Sequence, residues 1–433
     1  MADEQREQQT YQYSDHRPTF TIEERDRRWG LVREQMFNRG IDCLVVWGTD
    51  RAAGMGRANL RYLTQIPGQS KIQHAIGLFP LHADPIVWSG IPHMHKPFNF
   101  YDAYQNWVDD SRTFQGIDAI AEEISAHGFE KGRIGIVGVG SIVSQFNVPH
   151  SHYDQFTKAL PHAEFLDCTD MVERARMIKS DEEIEMLRKA GDIARTMAEA
   201  LLDAKPGMTE AEVYADMIHE QIANGGEGYV FNMLDSGSTN DGERKHLLHG
   251  KNVPLSPSTR RLEEDDVIIT EYHGNWGGNL VAGEKSVYLG DPPEELRDIH
   301  EVCLQCQEQA MENFHPGTRL KDLWTAIRSP AAAAGMEFVE LGFHGHGLGS
   351  PEYPSTVYPQ EPTKTYPEGL SWNALSGYGL EDMELRPGMV FGTNIDVYDP
   401  NWRDDIGLMY GDTVLVTEDG PEKLIEMPEQ FTV

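Results

Sequence analysis

The sequence predicts two domains, a smaller α/β domain followed by a larger α+β one. Three observations lead there. The 433 residues exceed a single domain of about 100–200 residues. Short apolar runs alternate with helical patterns up to Asp167. Beyond Ser180, helices and strands come in separate runs.

Residues 1–18 are rich in Gln, Asp and Glu and read as a flexible tail. The first domain is assigned to residues 19–170. Thr21 and Glu24 form a capping box. They open a helix with Trp29, Val32 and Met36 on one face, ending near Gly40. Apolar runs at 43–47, 75–79, 85–88 and 134–137 read as strands. Residues 116–127 and 151–160 read as helices between them.

The second domain is assigned to residues 175–433. Ser180 and Glu183 cap a long helix carrying an Ile184, Leu187, Ala190, Ile193 and Met197 stripe. Thr209 and Glu212 cap another, reaching about Asn224. Residues 266–289 read as a hairpin broken at 274–279, and helices follow at 293–314 and 320–335. Residues 389–396 and 412–416 read as late strands. Residues 351–372 carry five prolines and three tyrosines, a rigid surface loop or a lid over a pocket.

Lys and Arg total 37 against 70 Asp and Glu, a net charge of −33. Such a surface repels phosphate backbones and anionic membranes, so neither nucleic acid nor membrane is an expected partner. No apolar run approaches the ~18–20 residues that span a bilayer. Met1 to Pro18 lacks a basic n-region and an apolar h-region. The 4 cysteines do not make a disulfide framework. Cys303 and Cys306 lie one helical turn apart and read as packed thiols. A cytoplasmic protein is expected.

Several segments resemble one superfamily, in order. Asn59-Leu-Arg-Tyr-Leu-Thr64 resembles a motif of its N-terminal domain, and Ile178-Lys-Ser-Asp-Glu-Glu183 the opening of its catalytic half. Gly345-His-Gly-Leu-Gly349, Arg386-Pro-Gly-Met-Val390 and Asp412-Thr-Val-Leu-Val-Thr417 follow. On these the chain is similar to the pita-bread superfamily of methionine aminopeptidase, aminopeptidase P, prolidase and creatinase. The resemblance implies an α/β N-terminal domain and an α+β pita-bread C-terminal domain. It speaks for fold rather than activity.

In the superfamily's metallopeptidases two Asp, one His and two Glu hold two metal ions, which activate a bridging water. By resemblance the first Asp position is Glu271, and the second, eleven residues on, is Ala282. The His position is His346, and the Glu positions fall on Asn394 and Gly411. Ala and Gly offer no side-chain donor and Asn only a neutral one. The expectation is no metal site and no cofactor. Where the peptidases carry a second catalytic His, seven residues after the first, this chain has Tyr353.

Creatinase is the metal-free branch, and Ala282-Gly-Glu-Lys-Ser286 resembles the run in which it holds a substrate guanidinium. The resemblance implies that Glu284 binds a cationic group. It also implies an acid/base His after Asp241-Gly242, where both His246 and His249 stand; His249 is preferred as nearer Arg261-Leu262. Imidazole suits the work, with an unperturbed pKa of about 6.5. His249, His346 and Glu271 are the expected catalytic residues. Glu284, Tyr353, Asn394 and His273 are the expected substrate contacts. His273 alternates with Glu271 along one strand, so both face one side.

The expected function is metal-independent hydrolysis of a C–N bond in a small nitrogen-containing acid or amide, by a homodimer. Alternatives are a metal-free lyase of the same fold or a ligand-binding pseudo-peptidase; a metal-dependent Xaa-Pro aminopeptidase ranks last.

Overall fold

Thr21 starts the first helix with half of the expected capping box: its hydroxyl accepts the Glu24 N–H, but its own N–H donates to Glu182 while the Glu24 carboxylate accepts from Arg27 and Arg28. Gly40 ends the helix in the left-handed conformation at φ 65°. The computed structural model describes residues 18–49, 57–66, 74–89, 106–139, 148–227, 232–239, 257–338, 342–350, 352–354 and 380–433. Residues 1–17 of the tail, His246 and His249 lie outside them, as does the 351–372 segment apart from 352–354. The chain forms two compact units, Met1–Glu182 and Glu183–Val433.

In the first unit α1 (Ile22–Arg39) leads into β1 (Cys43–Thr49) and α2 (Ala58–Thr64). Then come β2 (His74–Pro80), β3 (Ile86–Ser89), β4 (Asp110–Thr113), α3 (Ile117–Ala126), β5 (Arg133–Val137), α4 (His150–Ala159), β6 (Glu164–Asp167) and α5 (Thr169–Arg176). The strands make one mixed sheet in the order β4-β3-β2-β1-β5-β6. Val45, Trp47, Ile76, Trp88, Ile134 and Ile136 bury their side chains against Ile120 and Ile124 of α3 and Phe156 of α4. Against Gly48 and Gly77 packs Leu60 of α2, where a Cβ would leave no room. The Asn59–Thr64 motif is structural here. Asn59 accepts the Arg176 guanidinium at 2.5 Å, Tyr62 donates to Ala175 O, and Trp29 donates to Leu63 O.

The second unit starts with α6 (Asp181–Leu201) and α7 (Glu210–Ala223). Thr209 and Glu212 complete the expected capping box on α7. Then come β7 (Met233–Ser238), β8 (Asp266–Trp276), β9 (Asn279–Tyr288), α8 (Glu294–Asn313), α9 (Leu320–Ala334), β10 (Glu337–Phe338) and β11 (Gly342–Gly345). The last strands are β12 (Val390–Tyr398), β13 (Leu408–Gly411), β14 (Thr413–Thr417) and β15 (Gly420–Lys423). Their antiparallel sheet runs β15-β14-β12-β13-β9-β8-β7, with β10 and β11 also on β12. The α/β and α+β classes expected from sequence are both observed. The hairpin break is tighter than expected: Gly277 and Gly278, at φ 60° and 79°, make a two-residue turn. Residues 274–276 therefore stay in β8. Strands β4, β6, β7, β10, β11, β13 and β15 and helices α2 and α5 go beyond the elements expected from sequence.

Candidate active site

The turn at Gly277-Gly278 sets the register of β8 against β9, placing Glu271 opposite Glu284 and His273 opposite Ala282. Directly opposed residues share a face of the sheet, and so do residues two apart on a strand. Glu271, His273, Ala282 and Glu284 thus form one buried patch. Next across the sheet, β13 brings Gly411 opposite Glu284, and β12 brings Ile395 opposite Tyr410.

The histidines arrive from two directions. His273 is on β8, where its backbone N–H donates to Asn232 Oδ1 at 2.6 Å. His346 follows β11 directly, and its N–H donates to Val390 O. Its ring lies over Gly392, where a Cβ would strike Nε2. The Ser350 hydroxyl sits between the two rings, 2.8 Å from His273 Nε2 and 3.3 Å from His346 Nε2. The ring centroids are 5.9 Å apart. Glu271 Oε1 stands 4.0 Å from His273 Nε2, at the limit of an ion pair should the ring be protonated. His344 stacks on His346 at 4.7 Å. Burial pushes its pKa down to about 4, against the Gly345 carbonyl and the Asn394 side chain. His344 is therefore neutral near pH 7.

The other half of the patch centres on Glu284, which is fully buried. Asn394 Nδ2 donates to its Oε1 at 2.5 Å, and the Ile395 N–H to its Oε2 at 3.1 Å. Charge-assisted bonds of this kind hold a carboxylate away from water. Lys285, the next residue on β9, faces the other way. Its ammonium donates to Pro428 O and Gln430 O, and burial lowers its pKa to about 8. Asp412 likewise accepts the Ile425 and Met427 N–H groups, and burial raises its pKa to about 6. Tyr353 is buried on a short segment that returns to Gly345 through the Glu352 N–H. Glu352 closes that turn by accepting the Gly349 N–H.

Residues 28–178 match the creatinase/prolidase N-terminal domain, and residues 185–418 match metallopeptidase family M24. The chain belongs to metallopeptidase family M24. Among its relatives is an ectoine hydrolase of Halomonas elongata, 27% identical over 96% of this chain and 98% of the relative. Another is a probable dipeptidase of Mycobacterium tuberculosis, 29% identical over 61% of this chain and 63% of the relative. The prolidase structure from Pyrococcus horikoshii superposes with a TM-score of 0.70 at 21% identity, covering 93% of this chain and 98% of that one. That likeness shows the two-domain M24 fold. The relatives support a hydrolase of the M24 family.

The family's name implies a metal ion. Among the described residues no group of three His, Cys, Asp or Glu is placed to hold a metal ion. Asn394 donates its amide N–H to Glu284. At Gly411 a Cβ would strike the Thr393 carbonyl oxygen, so this backbone leaves no room for a side chain there. Thr413 fills the space beside Ala282, bonding both its N–H and its carbonyl at 2.9 Å. Ala282, Asn394 and Gly411 thus bring no carboxylate to this patch.

The structure thus groups Glu271 and His273 with His346, and Glu284 with Asn394. Tyr353 is buried on the turn after His346, and His249 lies outside the described residues. Sequence reasoning missed Ser350, Asn232 and Thr413. For Ser350 a signal existed: it stands four residues after His346. Nothing local marks Asn232 or Thr413 as neighbours of this patch.

Proposed function

We propose that the chain is a metal-independent hydrolase that opens a C–N bond in a small, cationic, nitrogen-containing acid. The observation that carries this reading is the pair of buried carboxylates, Glu271 and Glu284, opposed on one face of the hairpin. Two such groups attract a positive charge, and a substrate amidinium supplies one. The full-length similarity to an ectoine hydrolase supports the same class. Ectoine is a cyclic amidine bearing a carboxylate, so it is the first substrate to test.

In this reading water adds to the amidine carbon. One C–N bond breaks, the departing nitrogen takes a proton, and an N-acyl amine remains. His249 removes the proton from water and later delivers one to the nitrogen. Glu284 and Glu271 hold the cationic N–H groups. Asn394 gives one N–H to Glu284 and has a second for the oxygen that gains charge, beside His346 and Tyr353. We also propose a cytoplasmic homodimer. A monomer in light scattering at micromolar concentration would count against the dimer.

The test is ectoine turnover by enzyme treated with a strong chelator, run in water labelled with heavy oxygen. Retained activity with label in the acyl product supports the reading. Activity lost on chelation and restored by metal overturns metal independence. An unlabelled elimination product would make the chain a lyase.

A further inference from the structure

Strand β13 pairs with β9 at Lys285 and Glu284 and ends at Gly411. The next strand, β14, starts at Thr413 and pairs with β12 and β15. Ala282 lies two residues from Glu284 on β9, past the end of β13. Opposed residues of an antiparallel pair alternate between exchanging their backbone bonds and turning them outward. His273 and Ala282 are an outward pair: His273 gives its N–H to Asn232 Oδ1, and Ala282 gives its N–H to Thr413 Oγ1 at 2.9 Å. The Thr413 hydroxyl in turn donates to Ala282 O, also at 2.9 Å. Ala282 and Thr413 are buried, at 4% and 0% exposure. A backbone group buried without a partner is costly. A hydroxyl offers one hydrogen and lone pairs, so this one side chain answers both groups that a neighbouring strand would have answered.

We propose that Thr413 is a positioning residue for Glu284, its hydroxyl tying β9 to the strands that carry hydrogen-bond donors to that carboxylate. Thr413 lies opposite Gly392 on β12, and the Thr393 N–H donates to Asp412 O at 2.8 Å. The donors are the next residues of β12: Asn394 Nδ2, 2.5 Å from Glu284 Oε1, and the Ile395 N–H, 3.1 Å from Oε2. Glu284 reaches them across β13, over Gly411, where a Cβ would stand only 3.1 Å from Oε2. A shift of β9 away from β12 lengthens both bonds at once. Near Glu284, β9 is tied to this frame by the Gly411 pairing beside it and by Thr413 at Ala282. Without the hydroxyl the second tie is lost, and Glu284 is left at the end of the β13 pairing.

The inference rests on the proposed cation-binding role of Glu284 for its kinetic arm alone; two arms need no substrate. In hydrogen exchange, the wild-type Ala282 amide should exchange as slowly as its neighbours in the β8–β9 hairpin. Thr413→Val, which keeps the shape, should speed that exchange about 10-fold or more, and Thr413→Ser, which keeps the hydroxyl, should not. In urea denaturation, the stability lost through Asn394→Ala should shrink by about half or more in the Thr413→Val background, because Glu284 has already left its donors. A Thr413 that only supports the fold gives additive losses. Fast exchange of Ala282 in the wild type, or additive losses, would overturn the proposal. If Thr413→Val does not fold, Thr413→Cys, with its weaker S–H donor, replaces it in every arm. In the kinetic arm, KM for ectoine should rise about 10-fold in Thr413→Val with kcat changed less, and Thr413→Ser should restore it. Coupled losses in an enzyme that does not turn over ectoine, or whose KM stays unchanged, would sink the substrate role of Glu284 and leave Thr413 as the residue that positions it.

Discussion

The Asn394 amide donates to the Glu284 carboxylate across 2.5 Å, between two side chains that have almost no contact with solvent. A buried carboxylate must be neutralised or hydrogen-bonded. Here a neutral amide does the second where a carboxylate would repel. Removing it should therefore be costly. Asn394→Ala is expected to lower stability by about 1.5–3 kcal/mol, the usual worth of a hydrogen bond to a charged group. Urea denaturation checks it; a change below half of that would mean Glu284 is neutral in the fold.

Gly411 and Ala282 set a second expectation. Ala282→Asp should not produce a metal-dependent dipeptidase, because Asn394 and Gly411 still supply no carboxylate. Gly411→Ala should itself destabilise by about 1–3 kcal/mol through overpacking on the Thr393 carbonyl. Metal titration by calorimetry and a thermal melt test the two halves. Two tightly bound ions in Ala282→Asp would refute the first.

His249→Ala should reduce turnover by about 10²–10⁴-fold, the ordinary contribution of an acid/base group. Stability should stay within about ±0.5 kcal/mol. If His246→Ala loses activity instead, the acid/base role belongs to His246. If neither variant matters, proton transfer rests with His273 and His346.

Asp412 makes stability depend on pH in a defined window. Its folded pKa is raised by burial from 3.8 to about 6. Between those values the native state binds more protons than the unfolded chain, so this group's contribution is present below about pH 4 and lost as pH rises through 6. The loss amounts to roughly 3 kcal/mol by pH 7. Asp412→Asn does not titrate, so wild type minus variant in unfolding free energy should fall across that window. A difference independent of pH would show that Asp412 carries no burial penalty.

The elements that local chemistry specifies were legible without coordinates. Thr21 and Thr209 announce their helices because a cap is a contact over three residues. The β8–β9 hairpin is legible because both strands are long and its turn is marked by glycine. Short polar strands such as β4, Asp-Ser-Arg-Thr, carry no periodicity, and only pairing with β3 makes them strands. The site divides in the same way. From the sequence, resemblance to the family set Glu271, Ala282, His346, Asn394 and Gly411 at its expected ligand positions, because motif order survives on the chain. Tertiary structure alone decided that Ser350 stands between His273 and His346, and that Asn394 answers Glu284. Ser350 is 77 residues from His273, and Asn394 is 110 from Glu284. Sheet register, a property of several strands at once, brings them together, and no local pattern encodes it.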